Sequence, residues 1–90
     1  MEKPDLYVVA RFLEVLRRNG LPMKKTNLQM STGLNYQTFL RYLSWLETHG
    51  LVQIAPSSER DGERITLTKK GVESYDRLVD WIREIVSPDF

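Results

Sequence analysis

Apolar residues open the chain at Val9, Phe12, Leu13 and Leu16, three and four apart with polar groups between them, the spacing of one buried helix face. This predicts a first helix from Leu6 to Arg18, with Asp5 as its N-cap, Pro4 just outside, and Asn19-Gly20 closing it. Leu21-Pro22 then forces an extended connection. Thr26 is the expected N-cap of a short second helix through Ser31, and Gly33 supplies a tight reversal bracketed by the inward groups Leu28 and Leu34. Asn35 is the expected N-cap of a third helix, which runs to Thr48 and stops at His49-Gly50. On its wheel Phe39, Tyr42, Leu43 and Leu46 share one side, and Gln37, Arg41 and Ser44 point the opposite way.

After Gly50 the period changes. Leu51 to Ile54 and Arg64 to Leu67 have the length and residue types of two short strands, joined by the turn formers Ala55-Pro56-Ser57-Ser58-Glu59-Arg60-Asp61-Gly62. Thr68 is the expected N-cap of a fourth helix that continues to Val86, where Ser87-Pro88 ends it. The expected fold is therefore mainly α with a small β-hairpin, in the order helix 1, helix 2, helix 3, two strands, helix 4. That is the layout of a winged helix-turn-helix. Residues 1–90 are expected to form a single domain, with a core over 6–71 and a last helix over 68–86 used for packing and dimerisation.

The last helix carries more apolar surface than one neighbour covers. Val72, Tyr75, Leu78, Val79, Ile82 and Val86 make a packing stripe, and Trp81 and Ile85 widen it to about half of the helix circumference. The simplest cover is the same helix of a twin subunit, with Tyr75, Leu78, Trp81, Ile82 and Ile85 at the contact. The alternative is that helix 1 wraps over this side within the monomer. A chain of 90 residues has a small core, so a partner subunit would be a natural supplement.

Composition removes several classes of function. No cysteine and one histidine leave disulfides, thiolate metal sites and histidine-rich catalytic constellations without ligands, so no metal or cofactor is expected. No phosphate-binding glycine loop or nucleophile elbow is present, which argues against an enzyme. Met1 to Asp5 lacks the basic start of a signal peptide, and no stretch approaches the roughly 20 apolar residues that span a bilayer, so a cytoplasmic, nucleoid-associated protein without a membrane role is expected. The net charge is only +1, but it is unevenly spread. Lys24, Lys25, Arg41, Arg60, Arg64, Lys69 and Lys70 make the middle positive against Glu47, Glu59, Asp61 and Glu63, whereas Glu73, Asp76, Asp80, Glu84 and Asp89 outweigh Arg77 and Arg83 in the tail.

The segment T-N-L-Q-M-S-T-G-L-N-Y-Q-T-F-L-R-Y-L-S-W-L-E-T-H-G-L-V, followed by I-T-L-T-K-K-G, resembles the archaeal winged helix-turn-helix transcription regulators. They share a T-x-hydrophobic start, an L-N-Y before the third helix, a Y-L-x-x-L run, G-L-[IV] and L-T-x-K-G, and here these anchors fall in order from Thr26 to Gly71. The resemblance implies a small DNA-binding protein, either a regulator or a chromatin component, that dimerises through its final helix, often as an antiparallel coiled coil. One departure is Gln29, which stands where many helix-turn-helix proteins have alanine. A bulky polar group there has to point away from the contact between helices or push them apart.

Double-stranded DNA is thus the expected partner. The start of helix 3 would enter the major groove, which assigns Asn35, Tyr36, Gln37, Thr38, Arg41 and Ser44 to it, with Arg41 matched to guanine and Gln37 to adenine. Lys24, Lys25, Ser57, Ser58, Arg60 and Arg64 are the expected phosphate contacts, Arg60 with the minor groove as a second option. Asn35 could instead only cap its helix, Tyr36 could pack on helix 2, and the charged groups could be merely solvated. His49 is expected as an ordinary cap and Trp45 as a packing residue. Two other readings remain open, an architectural protein that coats DNA and a winged helix used to bind protein.

Overall fold

The computed structural model describes residues 3–57 and 62–86. The order is α1 (Leu6–Asn19), β1 (Met23–Lys24), α2 (Lys25–Thr32), α3 (Tyr36–Thr48), β2 (Val52–Pro56), β3 (Glu63–Leu67) and α4 (Lys69–Val86). The helical content, the hairpin and the element order are those expected from the sequence, with one strand added.

The core forms where the predicted faces meet. Val9, Phe12, Leu13 and Leu16 of α1 pack against Leu28 of α2, against Phe39, Tyr42, Leu43 and Leu46 of α3, and against Leu51, Val52 and Ile65. Phe12 stacks on Phe39 with ring centroids 5.4 Å apart and on Tyr42 at 6.2 Å, an arrangement that aligns α1 and α3 beyond what buried area alone would do. The Tyr42 hydroxyl keeps its polar end satisfied by accepting from the Asp5 backbone N–H at 2.8 Å. Asp5 also caps α1, its carboxylate accepting from the Tyr7 N–H at 2.8 Å. The two helices are therefore tied at one end by a polar contact and in the middle by aromatic packing.

The extra strand explains why α2 starts earlier than expected. Met23 and Lys24 pair antiparallel with Ile65 and Arg64, making a three-stranded sheet in the order β1-β3-β2. Pairing holds Lys24 extended, so it occupies the N-cap position itself, without a side-chain capping bond, and α2 begins at Lys25 rather than after a Thr26 cap. The helix also continues one residue further, to the buried Thr32, whose hydroxyl donates to the Gln29 carbonyl at 2.8 Å. Gly33 then takes the left-handed conformation, φ 71°, that reverses the chain into α3. Gln29 does not separate the helices, because its side-chain amide reaches over this turn toward the Leu34 carbonyl at 3.4 Å.

The hairpin is longer than expected at its tip side, ending at Pro56 and starting again at Glu63, with the Ser57 N–H donating to the Gly62 carbonyl across its base. Pro56 is tolerated because β2 is an edge strand. The central strand β3 buries Ile65 completely. The intervening Ser58, Glu59, Arg60 and Asp61 lie outside the described residues.

Helix α4 begins on the expected cap. The Thr68 hydroxyl accepts from the Gly71 N–H at 2.9 Å and donates to the Gly50 carbonyl at 2.6 Å, so one side chain caps α4 and holds the end of α3. Gly71 is buried against Leu51, and a Cβ there would collide with the Leu51 carbonyl oxygen and lie 2.9 Å from a Leu67 methyl carbon. Val72, Tyr75, Leu78 and Val79 are half-buried, and Arg17 pairs with Asp76 at 3.5 Å across α1 and α4. Ile82, expected in both the packing stripe and the subunit contact, is exposed. The reason is length: α1 runs antiparallel to α4, and its first turn, at Tyr7, reaches no further than Ile82, while α4 extends for about 27 Å. The Val86 side chain is outside the described set.

Two substitutions test this junction. Gly71→Ala should lower stability by about 3 kcal/mol in urea unfolding, because the obstacle is backbone rather than a movable side chain. Thr68→Val keeps the shape and removes both hydroxyl bonds, and is expected to cost about 1 to 2 kcal/mol in the same assay.

Candidate nucleic-acid interface

Helix α3 presents its polar stripe to solvent. Asn35 is extended and its side-chain oxygen accepts from the Thr38 N–H at 2.9 Å, so it acts as the N-cap and fixes the first turn. Gln37, Arg41 and Ser44 are exposed, while Phe39, Tyr42, Leu43 and Leu46 are buried on the other side. Thr38 is half-buried, and Tyr36 projects from the first turn with half of its surface exposed. Of the six expected α3 residues, five are exposed and Thr38 is half-buried; four lie at or before the first turn, and Arg41 and Ser44 continue along the helix. The N-terminal end of a helix attracts anions.

The basic groups gather beside it. Lys24 and Arg64 stand opposite each other in the β1–β3 ladder, and both are half-buried. Lys25, at the start of α2, sends its ammonium to Glu63 Oε1 at 3.2 Å and lies 5.7 Å from the centre of the Tyr36 ring. The Glu63 hydrogen bond is the main reason its pKa is held above the usual lysine value; partial burial opposes this, and the Tyr36 hydroxyl adds to the rise. Lys25 is therefore an ammonium at neutral pH, already paired, at the mouth of α3. Ser57 sits at the base of the hairpin, half-buried, and Ser58 and Arg60 fall outside the described residues.

Glu63 is the residue that sequence reasoning missed. In the sequence it stands among the four acids set against the basic middle of the chain, and only the β1–β3 pairing brings it to Lys25. Lys70 is a second case. Its position in the first turn of α4 is unfavourable for that helix, yet its ammonium donates to the His49 carbonyl at 2.8 Å and so neutralises the C-terminal end of α3. His49 stacks on Trp45 with centroids 4.1 Å apart, and its Nδ1 lies 2.8 Å from the Trp45 carbonyl oxygen. Trp45 in turn packs against the core, as expected.

A second surface lies at the far end of α4. Trp81 is 57% exposed and Ile85 60%, and Ile82 lies beside the exposed Tyr7 of α1. Between the helices runs a shallow groove in which Tyr7, Ala10, Tyr75, Leu78, Val79 and Ile82 are flanked by the charged Arg11 and Glu14. Of the five expected contact residues, Tyr75 and Leu78 thus serve partly within the chain, and Trp81, Ile82 and Ile85 face outward. Among the described residues no helix is long and apolar enough to cross a membrane.

Comparison with known structures agrees with this architecture. The F93 protein from STIV, described as a winged-helix DNA-binding protein, superposes with a TM-score of 0.82 at 20% identity, covering 94% of this chain and 97% of that one. A transcriptional regulator homologue from Pyrococcus horikoshii gives 0.79 at 17% identity, over 96% and 86% of the two chains. The MosR regulator of M. tuberculosis, solved with DNA, gives 0.72 at 24% identity, over 87% of this chain. This chain spans nearly all of the viral protein but only 56% of the MosR chain. No curated protein sequence matches it. At these identities the likeness establishes the fold. The sequence itself matches a family model over residues 5–85, nearly its whole length, and on that ground the chain belongs to the winged helix-turn-helix family.

Proposed function

We propose that this protein is a homodimeric DNA-binding transcription regulator that places α3 in the major groove and its wing on the backbone or minor groove. The observation that carries this reading is the free polar stripe of α3, anchored from behind by four buried side chains and headed by a capped N-terminus. A helix held this rigidly by its apolar side, with Gln37, Arg41 and Ser44 outward, can enter a groove without rearrangement. DNA-bound relatives in fold, MosR and the E. coli MarR variant solved with operator DNA, support the same use.

In this reading Asn35, Tyr36, Gln37, Thr38, Arg41 and Ser44 face the groove, and Arg41 reads guanine through paired bonds to O6 and N7. Lys24, Ser57 and Arg64 contact phosphate, Lys25 lies within reach of it while paired with Glu63, and Ser58 and Arg60 of the wing extend the contact on sequence grounds. The exposed Trp81, Ile82 and Ile85, together with Tyr75 and Leu78, meet their copies in a second subunit, giving two recognition helices for successive major grooves. The protein then acts in the cytoplasm, on the nucleoid, without catalysis or cofactor.

Selection from a random DNA pool at two salt concentrations, with the mass of the complex measured, tests the reading directly. A two-fold symmetric sequence bound by two chains is expected, and failure to retain any duplex at low salt would overturn it. Arg41→Ala should lose about 1 to 3 kcal/mol of preference for the selected site over random DNA, with unchanged thermal stability. Trp81→Asp combined with Ile85→Asp should convert the dimer to a folded monomer in sedimentation. A dimer that survives both changes would place the subunit contact elsewhere.

A further inference from the structure

We propose that Glu63 is an internal substitute for a DNA phosphate, which keeps Lys25 occupied and so holds down the sequence-independent part of DNA affinity. This rests on the DNA-binding reading above and adds to it a residue that opposes binding.

The argument begins with where the pair lies. Lys25 opens α2, Glu63 opens β3, and the ammonium that joins them at 3.2 Å lies over Tyr36, the first residue of α3. A duplex approaching the N-terminus of α3 would meet this ammonium together with Lys24 and Arg64, the two cations facing each other in the adjacent ladder. Both members keep solvent contact, with side-chain exposures of 24% for Lys25 and 43% for Glu63. An ion pair with that much water around it adds little to folding stability. Its effect on an incoming polyanion is larger.

Phosphate affinity comes from releasing the counterions that a free cation would displace. A lysine already neutralised by a carboxylate offers no net charge to that exchange. If Lys25 turns to a phosphate, it leaves Glu63 unpaired in front of the same phosphate. Either way the pair withholds one phosphate contact. Since phosphate contacts raise affinity for all sequences alike, withholding one leaves a larger share of binding to the base-reading groups Gln37 and Arg41.

The test compares Glu63→Gln in two backgrounds, natural Lys25 and Lys25→Met, using the duplex enriched by selection and a random-sequence duplex. Thermal melting confirms that each variant is folded. With Lys25 present, Glu63→Gln should tighten both duplexes several-fold by the same factor and steepen the log-log salt slope by about 0.9, the value of one added phosphate contact. With Met at position 25 the gain should be clearly smaller and the slope unchanged. Equal gains in both backgrounds would mean that Glu63 merely repels DNA at a distance, and a loss of affinity would mean that the pair positions the wing; each result overturns the mask. Should natural protein and Glu63→Gln both ignore DNA, the regulator reading fails and the mask with it, whereas binding by the variant alone would support the mask.

Discussion

The backbone of α4 touches the backbone of the segment leaving α3, at Gly71 and Leu51, with no side chain between them. That approach sets the position of every later residue of α4 relative to the polar face of α3. Thr68 reinforces it by bonding to Gly50 and Gly71 together, and Lys70 by bonding to His49. The end of α3 and the start of α4 therefore form one rigid corner. A glycine at the beginning of a helix costs conformational entropy, and the contact it permits offsets that cost.

From this corner the two surfaces diverge. The start of α3 carries its cap and polar stripe, and the end of α4 carries Trp81 and Ile85 exposed, with Ile82 at the edge of the groove beside the first turn of α1. In the proposed dimer, this rigid connection would hold the two α3 helices at a fixed spacing. Along α4 the charge changes sign, with Lys69 and Lys70 at its start beside the end of α3 and Glu73, Asp76, Asp80 and Glu84 outnumbering Arg77 and Arg83 beyond it.

Much of the fold was legible because it follows from local periodicity. The caps Asp5, Asn35 and Thr68, the turn at Gly33 and the buried faces of α1 and α3 all depend on residues within a turn or two of one another. Met23-Lys24 was not legible as a strand, since two residues carry no period and its partner Ile65-Arg64 lies some forty positions away. That one miss moved the start of α2 and concealed the Lys25–Glu63 pair. Ile82 stands in both expected roles, lining the groove beside α1 and 41% exposed, because a wheel shows which side of a helix is apolar but not how far along the neighbouring helix extends.

The amino-acid sequence alone determined the element types, the inward and outward faces of α3, and an apolar arc on α4 too wide for the chain's own use. These are consequences of spacing along one helix or strand, where geometry is nearly fixed. Tertiary structure alone decided that Glu63 meets Lys25, that Lys70 serves α3 rather than its own helix, and that Gly71 must lack a side chain. Those contacts join positions separated by twenty residues or more, and their energies depend on how whole elements cross, which no local pattern encodes.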